Sequence, residues 1–279
     1  MKIKANAKVN LSLMILGKRE DGYHSIDTVM HSINLFDEIE IQKSNEVSVI
    51  CDSIDIPQEK NIAYKAAKLF LKDYGISGGA VIKIKKGIPA VAGLGGGSVD
   101  AAATLLGLNK IYKANISPQQ LCKTAVKLGA DVPFFINGGC QRCEGIGEVL
   151  TPLSPLKSGC LLLAKAETKP STAEMYRVLD SKEPIFCDTN AVITAIENND
   201  LLKLSKTIVN SFGAIWQDSF VKQELSLFEP LAVSLSGSGP TWFALFENKD
   251  KALKAKKVLD AKKIESYVCD FKDTSIEFE

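Results

Sequence analysis

Residues 3–13 alternate strictly between apolar and polar side chains. A period of two predicts a β-strand with one face turned to the core. Lys8 and Asn10 fall on the polar face, where simple solvent exposure and a functional role fit the pattern equally well. The apolar face consists of Ile3, Ala5, Ala7, Val9, Leu11 and Leu13.

Apolar periodicity along the rest of the chain predicts a mixture of short strands and amphipathic helices. Further strands are expected over 28–35, 38–42, 47–51, 81–84, 160–164 and in both arms of 233–246. Helices are expected over 60–74, 117–128 and 249–263, after Ser171, and two or three times between 190 and 227. The Ser117–Gln120 and Ser171–Glu174 segments carry N-terminal capping signals.

The segment Pro89–Ser98 holds four glycines within five positions and leads into an alanine- and leucine-rich helix, with Ser98 at the expected N-cap. A glycine loop at a helix N-terminus offers unpaired N–H groups and the positive end of the helix dipole, which favours phosphate. A flexible loop tip is the alternative, disfavoured because the segment joins an apolar run to a strong helix. The cradle is assigned to Pro89, Ala90, Val91, Ala92, Gly93, Leu94, Gly95, Gly96, Gly97, Ser98 and Val99.

Asp131 is the single carboxylate in the otherwise apolar run 130–136. A buried carboxylate needs a cation or a local cap, and the cost of an unpaired charge favours the cation. A second candidate lies after the Asp21–Gly22 turn, where Tyr23 and His24 are adjacent. The two rings are suited to stacking on and hydrogen-bonding a planar ligand, or are ordinary surface residues.

Composition narrows the class of protein. The chain has 279 residues, enough for two packed subdomains, which we place at 1–152 and 153–279. Lys plus Arg number 34 and Asp plus Glu 33, so no charge bias favours nucleic acid or membrane. Seven scattered cysteines and no signal-like segment make the cytoplasm the expected compartment. Cys140 and Cys143 form a lone C-x-x-C, for which incidental strand cysteines are favoured over a zinc or redox site.

The chain resembles the GHMP kinase superfamily, because three of its motifs occur in order: Ala7–Leu11, Pro89–Ala102 and Ser236–Pro240. The segments Gly17–His24 and Leu128–Phe134 are the more specific marks. The resemblance implies an α+β fold of two subdomains with the active site in the cleft between them. It also implies a left-handed β-α-β crossover in the first subdomain, against the usual hand.

The resemblance further implies an ATP- and Mg²⁺-dependent kinase, monomeric or homodimeric. The implied acceptor is the 2-hydroxyl of a cytidine diphosphate-linked methylerythritol in the non-mevalonate isoprenoid pathway. Asp131 is implied as the base and Lys8 as its partner. Two alternatives stay open: a sister kinase acting on a homoserine- or mevalonate-type substrate, and a non-catalytic nucleotide-binding relative.

Binding residues are also implied by the resemblance. The substrate positions match Asn10, Tyr23, His24 and Tyr176, and the nucleotide positions outside the loop match Asn61 and Lys86. Val99 stands where a second small polar residue usually follows the serine.

Overall fold

The structure is a computed structural model that describes residues 1–53, 56–166, 171–183, 185–216 and 218–279. Its strands are β1 (Lys2–Lys18), β2 (His24–Ser44), β3 (Ser48–Cys51), β4 (Gly79–Lys85), β5 (Cys140–Gly145), β6 (Val149–Leu153), β7 (Cys160–Lys165), β8 (Ala232–Leu235), β9 (Thr241–Phe246), β10 (Ser266–Cys269) and β11 (Ile276–Phe278). Its α-helices are α1 (Ile62–Asp73), α2 (Gly96–Tyr112), α3 (Pro118–Val126), α4 (Val132–Asn137), α5 (Thr172–Leu179), α6 (Thr189–Glu197), α7 (Leu201–Thr207), α8 (Phe220–Ser226) and α9 (Lys249–Ala261). Short 3₁₀ helices cover Gln58–Lys60 and Ser211–Ala214.

The strands form two sheets. The first follows the order β11-β1-β2-β4-β3, and β5 and β6 extend it from β2. The second follows the order β10-β7-β9-β8. Within the described residues, β3 and β4 make the parallel pairing between strands, and α1 lies between them in the chain.

Helix α2 fills the space between the first sheet and α1. Its middle is alanine-rich, and these small side chains are buried and allow a close approach to neighbouring backbone. Gly107 faces the sheet, where an added Cβ would lie 2.5 Å from Ile41 Cδ1. Because α2 is fixed so tightly, its N-terminus is held at a defined place beside β1.

The strand predicted at the N-terminus is confirmed, but the half-buried pattern is wrong. Asn6, Lys8, Asn10 and Ser12 are as buried as their apolar neighbours. The polar face packs against glycine-rich turns instead of meeting water: the amide oxygen of Asn10 accepts from Gly237 N at 2.9 Å. Alternation reveals that two faces differ, but not what covers each of them.

Two boundaries also differ from prediction. The strands expected over 28–35 and 38–42 are one continuous strand, β2, because β1 pairs with it from His24 to Glu40 across several register shifts. Helix α2 begins at Gly96 after Gly95, whose φ of 76° suits a glycine cap, so Ser98 lies inside the helix. The capping boxes at Ser117 and Ser171 are confirmed.

Among the described residues, the second half contains the predicted elements, including three α-helices between 189 and 226. The proposed division at 152/153 stays a prediction. Strand β6 ends close to this division. Strand β11 returns to pair with β1, so the last residues of the chain belong to the first sheet. Within the described ranges, no helix has both the length and the apolar character needed to cross a bilayer.

Candidate active site

A cavity of about 980 Å³ opens between β1, the N-terminus of α2 and α5. It is lined by almost every predicted site residue, although they come from segments far apart in sequence: Lys8, Asn10, Tyr23, His24, Asn61, Lys86, Pro89, Ala90, Val91, Ala92, Gly93, Gly95, Gly96, Gly97, Ser98, Asp131 and Tyr176. Leu94 and Val99 are not among the lining residues, because both side chains are buried in the core. The assignment of these two residues to the cradle stays a prediction.

Three separate segments meet at one point of the cavity wall. The amide oxygen of Asn10 accepts hydrogen bonds from Lys8 Nζ at 2.6 Å and Gly237 N at 2.9 Å. Ser236 Oγ donates to the carbonyl of Gly93 at 3.0 Å. Gly93 has φ 77°, and a Cβ there would lie 2.4 Å from Ser236 O, so only glycine fits. The two glycine segments, Pro89–Ser98 and Ser236–Pro240, therefore approach each other closely.

The start of α2 has the features of an anion site. The first N–H groups of any helix lack intrahelical acceptors, and no side chain caps them here. Gly97 is exposed, and a Cβ on it would meet protein only at an ordinary 3.5 Å from Ile62. The space over this turn is therefore left open to a ligand rather than filled by the fold. The helix dipole favours negative charge at the same place.

Lys8 lies beside this turn and reaches the carboxylate expected from the sequence. Its Nζ is 3.5 Å from Asp131 Oδ2. The Lys8 side chain is 4% exposed, whereas that of Asp131 is 33% exposed at the N-terminus of α4. The predicted cation is present, but the premise that Asp131 is a buried charge is wrong. An accessible carboxylate next to a buried ammonium is a geometry suited to accepting a proton from a bound ligand.

Lys86 is not the solvated strand lysine that its neighbours Lys83 and Lys85 suggest. Its ammonium donates to Asp37 Oδ2 at 2.5 Å and to Asp100 Oδ2 at 2.8 Å, and all three side chains are buried. Asp37 also accepts from the N–H groups of Gly87 and Ile88, each at 2.8 Å. We name Asp37, Lys86 and Asp100 the acid–lysine cluster; it ties β2 to α2 and to the start of the glycine loop.

One oxygen of this cluster has no partner. Asp100 Oδ1 is buried and makes no hydrogen bond within the described residues. Burial raises the pKa of Asp100 well above its usual range, and Asp37 adds to the shift, although Lys86 opposes it. Burial therefore favours the protonated form of the Asp100 carboxyl.

Asn61 and Asn10 have structural partners as well as places in the cavity wall. Asn61 caps α1 by accepting from Ala63 N at 2.9 Å. Asn10 donates through Nδ2 to Thr28 Oγ1 at 2.9 Å. An amide carries two N–H donors, so each residue still has a donor for a ligand. These ligand contacts stay predictions.

The far end of the cavity is aromatic. The rings of His24 and Tyr176 are stacked, with centroids 4.5 Å apart and planes within 20°. Phe212 meets Tyr176 edge-on at 5.0 Å. His24 Nε2 lies 2.6 Å from Asp180 Oδ1, and Tyr23 is 61% exposed at the rim.

Sequence reasoning missed three of these carboxylates: Asp37, Asp100 and Asp180. The criterion that found Asp131, a lone acid in an apolar run, also applies to Asp100, which interrupts the alanine-rich start of α2. Asp37 and Asp180 sit among other polar residues, and only the tertiary structure identifies their partners. Thr172, whose hydroxyl lies 3.3 Å from that of Ser238, was missed for the same reason.

The cysteine pair lies on β5, as favoured from the sequence. Cys140 and Cys143 are three residues apart, which places their side chains on opposite faces of the strand. Burial raises the pKa of Cys140 to about 12 and that of Cys143 well above its usual range. This geometry does not favour a shared ion.

Comparison with known proteins gives two family matches. Residues 61–139 match the GHMP kinases N terminal domain, and residues 220–265 match the GHMP kinases C terminal domain. The first match contains the glycine loop, α2 and Asp131.

Individual relatives are similar over nearly the whole chain. A 4-diphosphocytidyl-2-C-methyl-D-erythritol kinase of Clostridium botulinum (strain Alaska E43 / Type E3) is 40% identical over 276 residues, covering 96% of this chain and 99% of the relative. A solved structure of a 4-(cytidine 5'-diphospho)-2C-methyl-D-erythritol kinase has a TM-score of 0.81 and 31% identity, covering 97% and 99%. A homoserine kinase from Cytophaga hutchinsonii has the same fold, with a TM-score of 0.77 at 20% identity, covering 99% and 96%.

Proposed function

Because the chain belongs to the 4-diphosphocytidyl-2-C-methyl-D-erythritol kinase family of the GHMP kinases, we propose that it transfers the γ-phosphoryl group of ATP to the 2-hydroxyl of that compound. The observation that carries the proposal is the order of groups along one cavity. Open N–H groups lie at one end, Lys8 and Asp131 in the middle, and aromatic rings at the other end. A nucleoside triphosphate and a base-linked alcohol fit this order.

Lys8 and Asp131 are assigned the chemical step. The acceptor hydroxyl gives its proton to Asp131, and its oxygen forms the new bond to the γ-phosphorus. The bond from that phosphorus to the bridging oxygen breaks, and ADP leaves with the electron pair. Lys8, held by Asn10 at 2.6 Å, supplies fixed positive charge where negative charge develops.

The phosphates are assigned to the first turn of α2. Gly96 and Gly97 present backbone N–H groups without interposing side chains. Since the turn is held by the acid–lysine cluster and by packing of α2, it needs little rearrangement on binding. Pre-positioned donors are worth more than flexible ones, because no ordering cost falls on the bound state.

Magnesium fits the site as an ion held mainly by the nucleotide. Mg²⁺ prefers oxygen ligands and usually keeps phosphate oxygens and water in its coordination. Ser98, which is in the first turn of α2 and lines the cavity, would hold the ion from the protein side. When bound, the ion neutralises charge on the phosphates.

The substrate end is assigned to Tyr23, His24 and Tyr176, with Asn10 at the reacting end. Stacking on an aromatic ring suits a pyrimidine base. A homoserine- or mevalonate-type substrate carries no base, so it has no planar group that the aromatic rings could bind. This favours the cytidine compound over the alternatives.

The test is ATP turnover against 4-diphosphocytidyl-2-C-methyl-D-erythritol, homoserine and mevalonate, each at matched concentration. The expected result is ADP formation with the cytidine compound far above the other two, and phosphate on its 2-hydroxyl by NMR. Faster turnover of homoserine or mevalonate would overturn the substrate assignment. Absence of turnover with all three would favour a non-catalytic relative.

A further inference from the structure

His24 is held by a residue that the proposed mechanism does not use. Its Nε2 lies 2.6 Å from Asp180 Oδ1, at the C-terminal end of α5. The His24 side chain is 7% exposed and that of Asp180 38%. A nearly buried ring that is hydrogen-bonded at one nitrogen has little freedom to rotate.

The partner fixes the position of the ring proton. A carboxylate without a proton only accepts hydrogen bonds, so His24 donates through Nε2–H. In a neutral imidazole the other nitrogen, Nδ1, then carries a lone pair. Within the described part of the chain, no hydrogen bond to His24 Nδ1 is present, and His24 lines the cavity.

The stacking geometry indicates how a ligand would approach the lone pair of His24 Nδ1. A hydrogen bond to Nδ1 lies in the imidazole plane, and this plane is within 20° of the Tyr176 ring. A planar base that donates to Nδ1 and stays coplanar with the imidazole lies nearly parallel to Tyr176. One contact then supplies both a hydrogen bond and a stacking surface.

We propose that Asp180 is a specificity-determining, positioning residue that holds His24 as the Nε2–H tautomer, so that Nδ1 accepts from the exocyclic amino group of a cytosine. This rests on the proposed function, which places the base at this end. In the same pose a uracil presents a carbonyl oxygen at that position, and two acceptors then face each other. Asp180 thus acts through His24 and favours cytidine over uridine substrates.

The histidine content makes the tautomer measurable. The chain has two histidines, and the structure gives them opposite tautomers. In His31, Nδ1 donates to the carbonyl of Ser32 at 2.9 Å and Nε2 accepts from Leu156 N at 3.0 Å. ¹⁵N NMR of the full chain should therefore show one Nε2–H and one Nδ1–H imidazole. His31→Gln removes the Nδ1–H signal and assigns the other to His24.

The paired test is nucleotide selectivity. Cytidine 5'-diphosphate and uridine 5'-diphosphate are titrated by calorimetry, with the glycine end filled by a non-hydrolysable ATP analogue. Asp180→Ala should lower the cytidine-to-uridine affinity ratio by roughly three- to tenfold, the scale of one hydrogen bond. It should also alter the His24 ¹⁵N signals and leave those of His31 unchanged. Glu183→Ala, which removes an exposed acid nearby, should do neither.

Each contrary result has a distinct meaning. A wild-type His24 in the Nδ1–H form, or equal affinity for both diphosphates, overturns the inference. Equal losses for both diphosphates in Asp180→Ala do so too, because they indicate a merely structural role in α5. These measurements need no turnover, so a failure of the kinase assay would not be confused with a failure of this inference.

Discussion

The two ends of the cavity are built in different ways. The glycine end presents backbone N–H groups, fixed by a tightly packed helix and the buried acid–lysine cluster. The aromatic end presents side chains, one of them 61% exposed, from β2, α5 and the loop before β2. Phosphate is common to all nucleotides, and a rigid backbone suits it. A particular base is selected by side chains, which substitution alters without disturbing the fold.

This contrast predicts that substitutions at the two ends have different and separable effects. Changes at the glycine end should alter ATP binding and, through the cluster, stability. Changes at the aromatic end should alter binding of the cytidine compound alone. Lys8 and Asp131 lie between the ends, and their loss should affect the rate and neither affinity.

The largest effect is expected from Asp131→Asn. The substitution keeps the shape of the side chain and removes the base, so kcat should fall by about 10²- to 10⁴-fold. KM for both substrates should stay within a fewfold, because neither end is altered. Steady-state kinetics tests this. More than about a tenth of wild-type turnover would mean that Asp131 is not the base.

Asp37→Ala tests how far the acid–lysine cluster stabilises the glycine end. Asp37 accepts from Lys86, Gly87 and Ile88, so its removal leaves an ammonium and two N–H groups without this partner. The free energy of unfolding should fall by about 3 kcal/mol, measured by urea denaturation.

Asp100→Asn is the matched control for Asp37→Ala. Burial raises the pKa of Asp100 and so favours its neutral carboxyl. A neutral amide should therefore replace this side chain at small cost in stability. Equal destabilisation by Asp37→Ala and Asp100→Asn would contradict the unequal roles assigned here.

Gly97→Ala should change affinity and stability in opposite directions. Its Cβ meets protein only at 3.5 Å, and alanine favours a helix over glycine by about 0.5–1 kcal/mol. The melting temperature should rise slightly, while KM for ATP rises about tenfold from lost contact with the phosphates. Gly213→Ala, where a Cβ meets nothing within 4 Å, is the control. Unchanged ATP affinity would mean that the first turn of α2 has only a structural role.

Tyr23→Ala should give the smallest effect. Stacking on a base is worth about 1–3 kcal/mol, and an exposed ring belongs at the lower end, so KM for the cytidine compound should rise about fivefold. KM for ATP and the melting temperature should stay unchanged. An equal rise in KM for ATP would place Tyr23 outside the cytidine end.

The same contrast explains what the sequence could predict. The glycine end was identifiable because loop, helix and phosphate chemistry lie within one continuous segment, Pro89–Ala102. The capping boxes and most helices were predictable for the same reason: their signals are local. Ser98 was misplaced as the cap because glycine itself takes the cap conformation at Gly95.

The aromatic end was predictable only in part: the adjacent Tyr23 and His24 were a candidate from the sequence itself, whereas Tyr176 was identified only through resemblance. Tyr23 and Tyr176 are 153 positions apart in the chain, and no periodicity joins them. The burial of Lys8 and the pairing of Lys86 were equally hidden, because both depend on what covers a strand face. Charged residues beside a glycine loop are best judged by their partners, which only the fold supplies.

The most direct test is a structure of the protein with a non-hydrolysable ATP analogue and 4-diphosphocytidyl-2-C-methyl-D-erythritol bound together. The account predicts the terminal phosphates at the first turn of α2, the cytosine parallel to Tyr176, and the 2-hydroxyl within hydrogen-bond distance of Asp131. A triphosphate at the aromatic end, or an acceptor hydroxyl remote from Asp131, would contradict it.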